Sequence, residues 1–531
     1  VEHVYRSQYP DVDIPEVSLT EAILGRAAER GDKPALIDGP SGRKLTYRAL
    51  AEQVRRVAAG LAGRGFGKGD VFAIISPNLP EFAVAFHAVA SLGGVVTTIN
   101  PLSTAREMAG QLRDAGATNL LTVPPLLEAA GEAAATAGVR ELFVFGEADG
   151  ATPFASLAID GQPPPVAIDP RADLVVLPYS SGTTGLPKGV MLTHYNLVAN
   201  DRQMIPLDII REDDTLIAVL PFFHIYGMTV IMNGGLARGA TVVTMPRFDL
   251  EQFLSLIQQQ RVTRAFVVPP IVLALAKHPL VEQYDLSSLR MILSGAAPLG
   301  AELTAECAAR VGCVVRQGYG MTESSPVTHA SPPNQIRPGT IGTLAPNTEA
   351  RIVDIETLAP LGPGQTGELW VRGPQVMRGY LNQPQATAET IVEGPSQDSG
   401  QAPWLRTGDI AAVNEDGQFT VVDRLKELIK YKGYQVAPAE LEALLLTHPA
   451  VGDAAVIGIP DEESGEVPKA FVVTRADVAA EALLEHVNTR VAPHKRLRAL
   501  DFTDQIPKSA SGKILRRVLA EQERTRATAK A

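Results

Sequence analysis

Thiols and indoles are almost missing from this chain. In 531 residues there are two cysteines, Cys307 and Cys313, and two tryptophans. So few thiols exclude a disulfide framework and a cysteine-built zinc site. The pair flanks an expected helix-to-strand turn and reads as two small apolar side chains in a reducing cytoplasm. No uninterrupted apolar run reaches the ~18 residues of a membrane span. Val1-Glu2-His3 does not open a basic-then-apolar leader, and Ala529-Lys530-Ala531 is not a peroxisomal address, so a cytoplasmic location is expected. Positive charge is short too. A net charge of −11 argues against nucleic-acid partners, whose binding depends on neutralising phosphates. Solenoid-length repeats and heptads are also missing.

What is present suits a multidomain globular protein: 45% hydrophobic and 20% charged residues, with 46 Gly and 40 Pro for many loops. The length exceeds one ordinary core. Leu50, Val54, Val57 and Leu61 recur at helical spacing, and Val71 to Ile75 then read as a buried strand. A helix from about Glu81 to Leu92 follows. The alternation resumes with a strand at Thr215 to Leu220, a helix face of Leu250, Phe253, Leu254 and Ile257, and strands at Ala265 to Val268 and Met291 to Leu293. This is an α/β pattern of mostly parallel sheets covered by helices, with ligands expected at strand carboxyl ends. Gly161 to Pro170 reads as a stiff connector and Glu393 to Pro403 as an exposed loop. The main boundary is placed near Asp423, giving a large domain over 1–423 and a smaller α+β domain over 424–531. Beyond that boundary lysine and arginine slightly outnumber the acids, so the chain's acidic excess lies in the large domain. A small basic lobe suits the presentation of cations to a small anionic ligand.

The most informative stretch is Tyr179-Ser180-Ser181-Gly182-Thr183-Thr184-Gly185-Leu186-Pro187-Lys188-Gly189-Val190, between the apolar runs 174–177 and 190–192. Glycines allow close backbone approach, and free amides with hydroxyls and one lysine make a nest for a polyanion. It is not the P-loop NTPase signature, because Lys188 is followed by Gly189 rather than Ser or Thr.

This loop resembles the phosphate-binding loop of the adenylate-forming superfamily, which includes acyl-CoA synthetases, carrier-loading adenylation domains and luciferases. Gly318-Tyr319-Gly320-Met321-Thr322-Glu323 resembles its second nucleotide motif and Arg406-Thr407-Gly408-Asp409 its ribose motif. Asp423-Arg424-Leu425-Lys426-Glu427 resembles its interdomain hinge. The runs Lys430 to Val436 and Pro507 to Lys513 complete the set. The resemblance implies that ATP and Mg²⁺ convert a carboxylic acid to an acyl-adenylate with release of pyrophosphate. A thiol, coenzyme A, then displaces AMP. Ser180, Ser181, Gly182, Thr183, Thr184, Gly185 and Lys188 are thereby expected at the β- and γ-phosphates. Thr322 is expected at the α-phosphate and Glu323 at the metal. Gly295, Ala296, Ala297, Gln317, Gly318 and Gly320 would line the adenine pocket, with Tyr319 stacking. Asp409 would hold the ribose, with Arg424 nearby. Lys513 matches the adenylation lysine, Lys430 the thioester-step lysine with Gln435 close by, and Lys432 and Gly433 face coenzyme A. Lys426 matches the pivot of a mobile small lobe, within a hinge at 424–426. His224 matches a histidine that orients the carboxylate; a role as base is conceivable.

Within the superfamily the chain is most similar to 4-coumarate:CoA ligases and bacterial cinnamate-activating relatives, through 224–226, 267–274, 285–290, 294–300 and 430–440. The matching acyl pocket comprises Ile225, Tyr226, Thr229, Phe266, Leu293, Gly295 and Ala296 on one side. Gly318, Gly320, Pro326, Val327 and Thr328 form the other. Tyr226 is placed to hydrogen-bond a ring hydroxyl. Leu293, Thr229 and Phe266 depart from the usual lysine, asparagine and methionine. Losing the lysine ammonium and the asparagine amide should disfavour hydroxylated rings relative to cinnamate. A medium-chain fatty acyl-CoA ligase, a carrier-protein acyl ligase and a luciferase-like oxygenase are the competing readings. The partners expected are the acid, ATP and coenzyme A, and the protein a monomer or dimer.

Overall fold

The structure, a computed structural model, describes residues 3–180, 187–394, 402–432, 434–461, 464–509 and 512–530. The sequence periodicities become elements where expected. The 50–61 pattern lies in the helix Tyr47–Gly63, capped by Thr46, whose side chain accepts from the Ala49 N–H. The second helix, Pro80–Ser91, begins on proline and buries ten of its twelve residues. Its sequence is apolar all round, which fits a helix packed on every side. The helix Leu250–Gln260 buries Phe253, Leu254, Leu256 and Ile257 behind an Asp249 cap.

Two parallel-rich sheets carry the large domain. The eight-stranded sheet runs Gly379–Tyr380, Lys188–Thr193, Leu174–Ser180, Val95–Thr98, Val71–Ile74, Ala117–Thr122, Glu141–Val144, Thr152–Pro153. Its six strands from Leu174–Ser180 outward are parallel. The nine-stranded sheet holds Val314–Gly320, Met291–Ser294, Arg264–Val267, Thr215–Ala218 and Thr241–Thr244 in consecutive parallel pairs. One extensive apolar core serves both sheets.

A third, seven-stranded antiparallel sheet, built mainly from Glu349–Val353, Thr366–Arg372, Trp404–Val413 and Phe419–Arg424, was not anticipated from helix–strand alternation. Few helices separate its strands, so it adds an antiparallel layer to the expected parallel ones. The change of sheet comes at the hinge motif: Arg424 ends the last strand of the antiparallel layer, and Ile429 starts a five-stranded sheet with its own apolar core. Cys307 is buried and Cys313 half-buried, both as free thiols. Burial pushes the Cys307 thiol up to about 12, which keeps it protonated and unreactive. Among the described residues no helix is long and apolar enough to cross a membrane.

Candidate active site

The strands Leu174–Ser180 and Lys188–Thr193 pair antiparallel, with Ser180 opposite Lys188 and Gly189 opposite Tyr179. The strands that flank the phosphate-loop motif therefore present Ser180 and Lys188 together. Ser181, Gly182, Thr183, Thr184, Gly185 and Leu186 lie outside the described residues. Below the loop, the Tyr179 hydroxyl donates to Asp114 over 2.7 Å, fixing one hairpin strand to the adjacent helix Ala105–Ala115.

The second nucleotide motif ends the strand Val314–Gly320 and turns at Thr322–Ser324. Gly320 has no alternative residue: a Cβ there would stand 2.0 Å from the Pro326 carbonyl oxygen. Gln317 lies in the same strand, just before the motif. Its amide group is occupied, accepting from the Leu299 N–H (3.2 Å) and donating to the Leu299 carbonyl (3.1 Å). It shapes the Gly295 to Leu299 turn rather than presenting its amide to a base. In that turn Ala296 holds φ +70, a conformation that costs a non-glycine residue and often marks a functional turn.

Asp409 and Arg424 are cross-strand partners in the antiparallel sheet. The guanidinium lies 3.4 Å from the carboxylate, and the Tyr319 phenol donates to the other carboxylate oxygen at 2.6 Å. Burial raises the Asp409 pKa, opposed by Arg424, Tyr319 and Lys513. This buried acceptor-only group, with its neighbours already in place, suits a vicinal diol. A residue missed from the sequence supports it. Glu368 accepts from Trp370 Nε1 (2.9 Å), from Arg406 (2.8 and 3.1 Å) and from the Gly408 N–H (3.2 Å). That carboxylate fixes the Arg-Thr-Gly-Asp turn, where Gly408 holds φ +70.

Glu323 is buried, and its Oε1 accepts from the Tyr380 hydroxyl at 2.8 Å. Among the described residues no cluster of three or more His, Cys, Asp or Glu could hold a metal ion. A single buried carboxylate fits Mg²⁺ held chiefly by substrate phosphates and water, which is that ion's usual manner.

His224 packs beside a helical segment with wide i→i+5 turns, Tyr226–Asn233, a geometry enriched at functional sites. Its Nδ1 accepts from the Tyr226 N–H at 3.2 Å, so the ring proton sits on Nε2. Burial lowers its pKa to about 4. The neutral ring therefore offers a donor at Nε2, suited to orienting a carboxylate and unsuited to taking a proton there. The acyl-pocket residues Ile225, Phe266, Leu293 and Thr328 are buried around this segment, and Gly295 lies against the Tyr226 ring. The Tyr226 hydroxyl donates to the Leu293 carbonyl at 3.1 Å, so toward a ring hydroxyl it can act only as acceptor. Buried Thr229, within this segment, and Ser294, next to Leu293 in its strand, carry hydroxyls without a hydrogen-bond partner among the described residues.

The small lobe brings Lys513 to this site. Gly512 packs against Val268 and Pro270 of the large domain. The Lys513 ammonium is depressed to about 8, by burial first and then by Arg424, with Glu427 and Asp409 opposing. Lys430 is exposed on the strand Ile429–Tyr431, opposite Gln435, and its N–H donates to Glu466 of the same lobe. The structure thus places one of the two candidate lysines in the site and leaves the other outside. Lys426 is exposed; Lys432 holds φ +47 beside the Tyr431 ring. Gly433 and the side chain of Gln435 lie outside the described residues.

Comparison with known proteins agrees with this arrangement. Residues 24–381 match the AMP-binding enzyme family and residues 440–513 the AMP-binding enzyme C-terminal domain. The chain is 45% identical to 4-coumarate--CoA ligase 5 of Oryza sativa subsp. japonica, covering 97% of this chain and 96% of that one. It is 42% identical to 4-coumarate--CoA ligase of Pinus taeda, covering 98% and 97%. Among solved structures, an anthranilate CoA ligase, AuaEII, in complex with anthranoyl-AMP superposes with a TM-score of 0.87 at 28% identity, over 96% of this chain and 98% of that one. ATP-bound MatB from Rhodopseudomonas palustris gives 0.84 at 29%, over 95% and 99%. The chain belongs to the AMP-binding enzyme family.

Proposed function

We propose that this AMP-binding enzyme is an acid–CoA ligase, acting on a planar aryl acid of the cinnamate or 4-coumarate type. A carboxylate is a poor acyl donor because its leaving group would be oxide. In the first step a carboxylate oxygen attacks the α-phosphorus of ATP, the bond to the β-phosphate bridging oxygen breaks, and pyrophosphate leaves. In the second, the coenzyme A sulfur attacks the acyl carbon, AMP leaves with the bonding pair, and the thiol proton passes to solvent or base.

The residues divide this work. Ser180 and Lys188 bind the leaving phosphates, and Tyr319, Asp409 and Arg424 hold the nucleoside. The Nε2–H of His224 orients the attacking carboxylate. Lys513 supplies fixed positive charge where an anion meets a polyanion, the kind of pre-placed electrostatic help worth most in a desolvated site. Glu323 would hold Mg²⁺, which when bound screens the phosphate charge. The buried side chains of Phe266, Leu293 and Tyr226 would wall a slot suited to a flat ring.

The observation that carries this reading is the position of Lys513, brought by the small lobe to within electrostatic reach of the Asp409–Arg424 pair. Identity of 45% to a 4-coumarate--CoA ligase supports the choice of acid and of coenzyme A as acceptor. The test is acid-dependent exchange of labelled pyrophosphate into ATP, followed by thioester absorbance on adding coenzyme A. Cinnamate and 4-coumarate should support both. A panel of acids giving no exchange at all would refute the proposal.

A further inference from the structure

Tyr380 lies outside every nucleotide motif read from the sequence, yet it touches two of them. Its hydroxyl donates to Oε1 of Glu323 over 2.8 Å. The Lys188 ammonium sits over its ring face, 4.9 Å from the centroid. Backbone hydrogen bonds set this placement before any ligand arrives. The strand Gly379–Tyr380 pairs with Lys188–Thr193, Val190 opposite Tyr380. The Leu381 N–H donates to the Gly189 carbonyl (2.8 Å), and the Met377 N–H to the Glu323 carbonyl (2.8 Å). The Tyr380 N–H is itself held by Thr387 Oγ1 at 2.9 Å.

The chemistry of the arrangement is specific. A carboxylate whose Oε1 is committed to a phenol turns a defined second oxygen toward a cation. An ammonium attracted to an aromatic face keeps its full charge, which a direct ion pair with a carboxylate would neutralise. We infer that Tyr380 is a positioning residue for the divalent cation–triphosphate complex: its hydroxyl aims Glu323 at the cation, and its ring keeps Lys188 ready for phosphate. This rests on the adenylate-forming reading given above.

The test uses the full chain, with Tyr380→Phe removing only the hydroxyl and Tyr380→Leu removing the ring as well. Calorimetry measures ATP affinity with excess Mg²⁺ and with EDTA. In Tyr380→Phe the gain in affinity from Mg²⁺ should shrink by about tenfold, the size of one hydrogen bond to a charged group, while affinity in EDTA stays within about twofold. Tyr380→Leu should also lose affinity in EDTA. Thioester formation from supplied acyl-adenylate should be unaffected by Tyr380→Phe. An unchanged Mg²⁺ gain in Tyr380→Phe overturns the inference. So does an equal loss with and without Mg²⁺ alongside a lowered melting temperature, which marks a structural role. If wild type binds nucleotide but exchanges pyrophosphate with no acid, the ligase reading fails, while calorimetry still decides Tyr380.

Discussion

Gly512 and Val268 meet across the two domains with no space for a methyl group between them. A Cβ on Gly512 would stand 2.9 Å from Val268 Cγ2 and 3.2 Å from its Cβ, and Gly512 holds φ +78. The next residue is Lys513, so this contact sets how deeply the lysine enters the site. Gly512→Ala should therefore slow adenylation by about tenfold, since the added methyl clashes and the left-handed backbone costs ~1 kcal/mol in a non-glycine residue. Thioester formation from supplied acyl-adenylate should be nearly unchanged. Equal slowing of both half-reactions would show that the contact does not govern adenylation in particular.

The placement of Lys513 inside and Lys430 outside the site implies that the two act in turn. Lys513→Ala should reduce pyrophosphate exchange by at least about 100-fold, as expected when a charge aimed at the transition state is removed, yet still convert supplied adenylate to thioester. Lys430→Ala should do the reverse. The check is both half-reactions measured on each variant; parallel loss in each rules out alternation.

Lys513 also fixes a pH dependence. Its pKa is lowered to about 8 by burial and Arg424, so it is cationic below that value and neutral above. In the free enzyme, adenylation kcat/KM should fall as pH rises through about 8. The kcat profile should fall at higher pH, because bound triphosphate favours the cation. Lys513→Arg, always charged, should remove the alkaline limb in whatever activity it retains. A flat wild-type kcat/KM profile for about a unit above pH 8 would contradict the assignment.

Thr229 carries a buried hydroxyl without a partner, whereas the Tyr226 hydroxyl is held by Leu293. Thr229→Val keeps the shape and removes the unpaired group. It should leave stability unchanged or raise it by about 1 kcal/mol, read from denaturant unfolding. The kcat/KM ratio of 4-coumarate to cinnamate should drop by about three- to tenfold. An unchanged ratio would mean that Thr229 does not meet the ring substituent.

Much of the site could be read directly because phosphate and ribose recognition depend on short contiguous runs. Ser180 and Lys188 frame a Gly-rich turn between apolar strands, and Asp409 follows its own Thr-Gly turn. Glu368 and Tyr380 could not be read that way. Each is a single residue in a strand: Glu368 meets Arg406 38 positions on and Tyr380 meets Glu323 57 positions back, and neither periodicity nor composition marks such a pairing. Tyr226 and Gln317 show the opposite case: the motifs point to both, but a backbone carbonyl or amide takes up their side-chain donors and acceptors. The antiparallel layer escaped the reading because its strands follow one another with little helix between them.

The amino-acid order alone determined the parallel α/β core and the set of groups available for adenylate chemistry, since hydrophobic period and turn residues act over a few neighbours. Folding in three dimensions decided which of those groups are free. Lys513 rather than Lys430 lies within electrostatic reach of Asp409, Thr229 rather than Tyr226 keeps an unused donor, and His224 presents a donor. Each of these outcomes depends on burial and on hydrogen bonds between segments far apart in the chain, which local pattern does not encode.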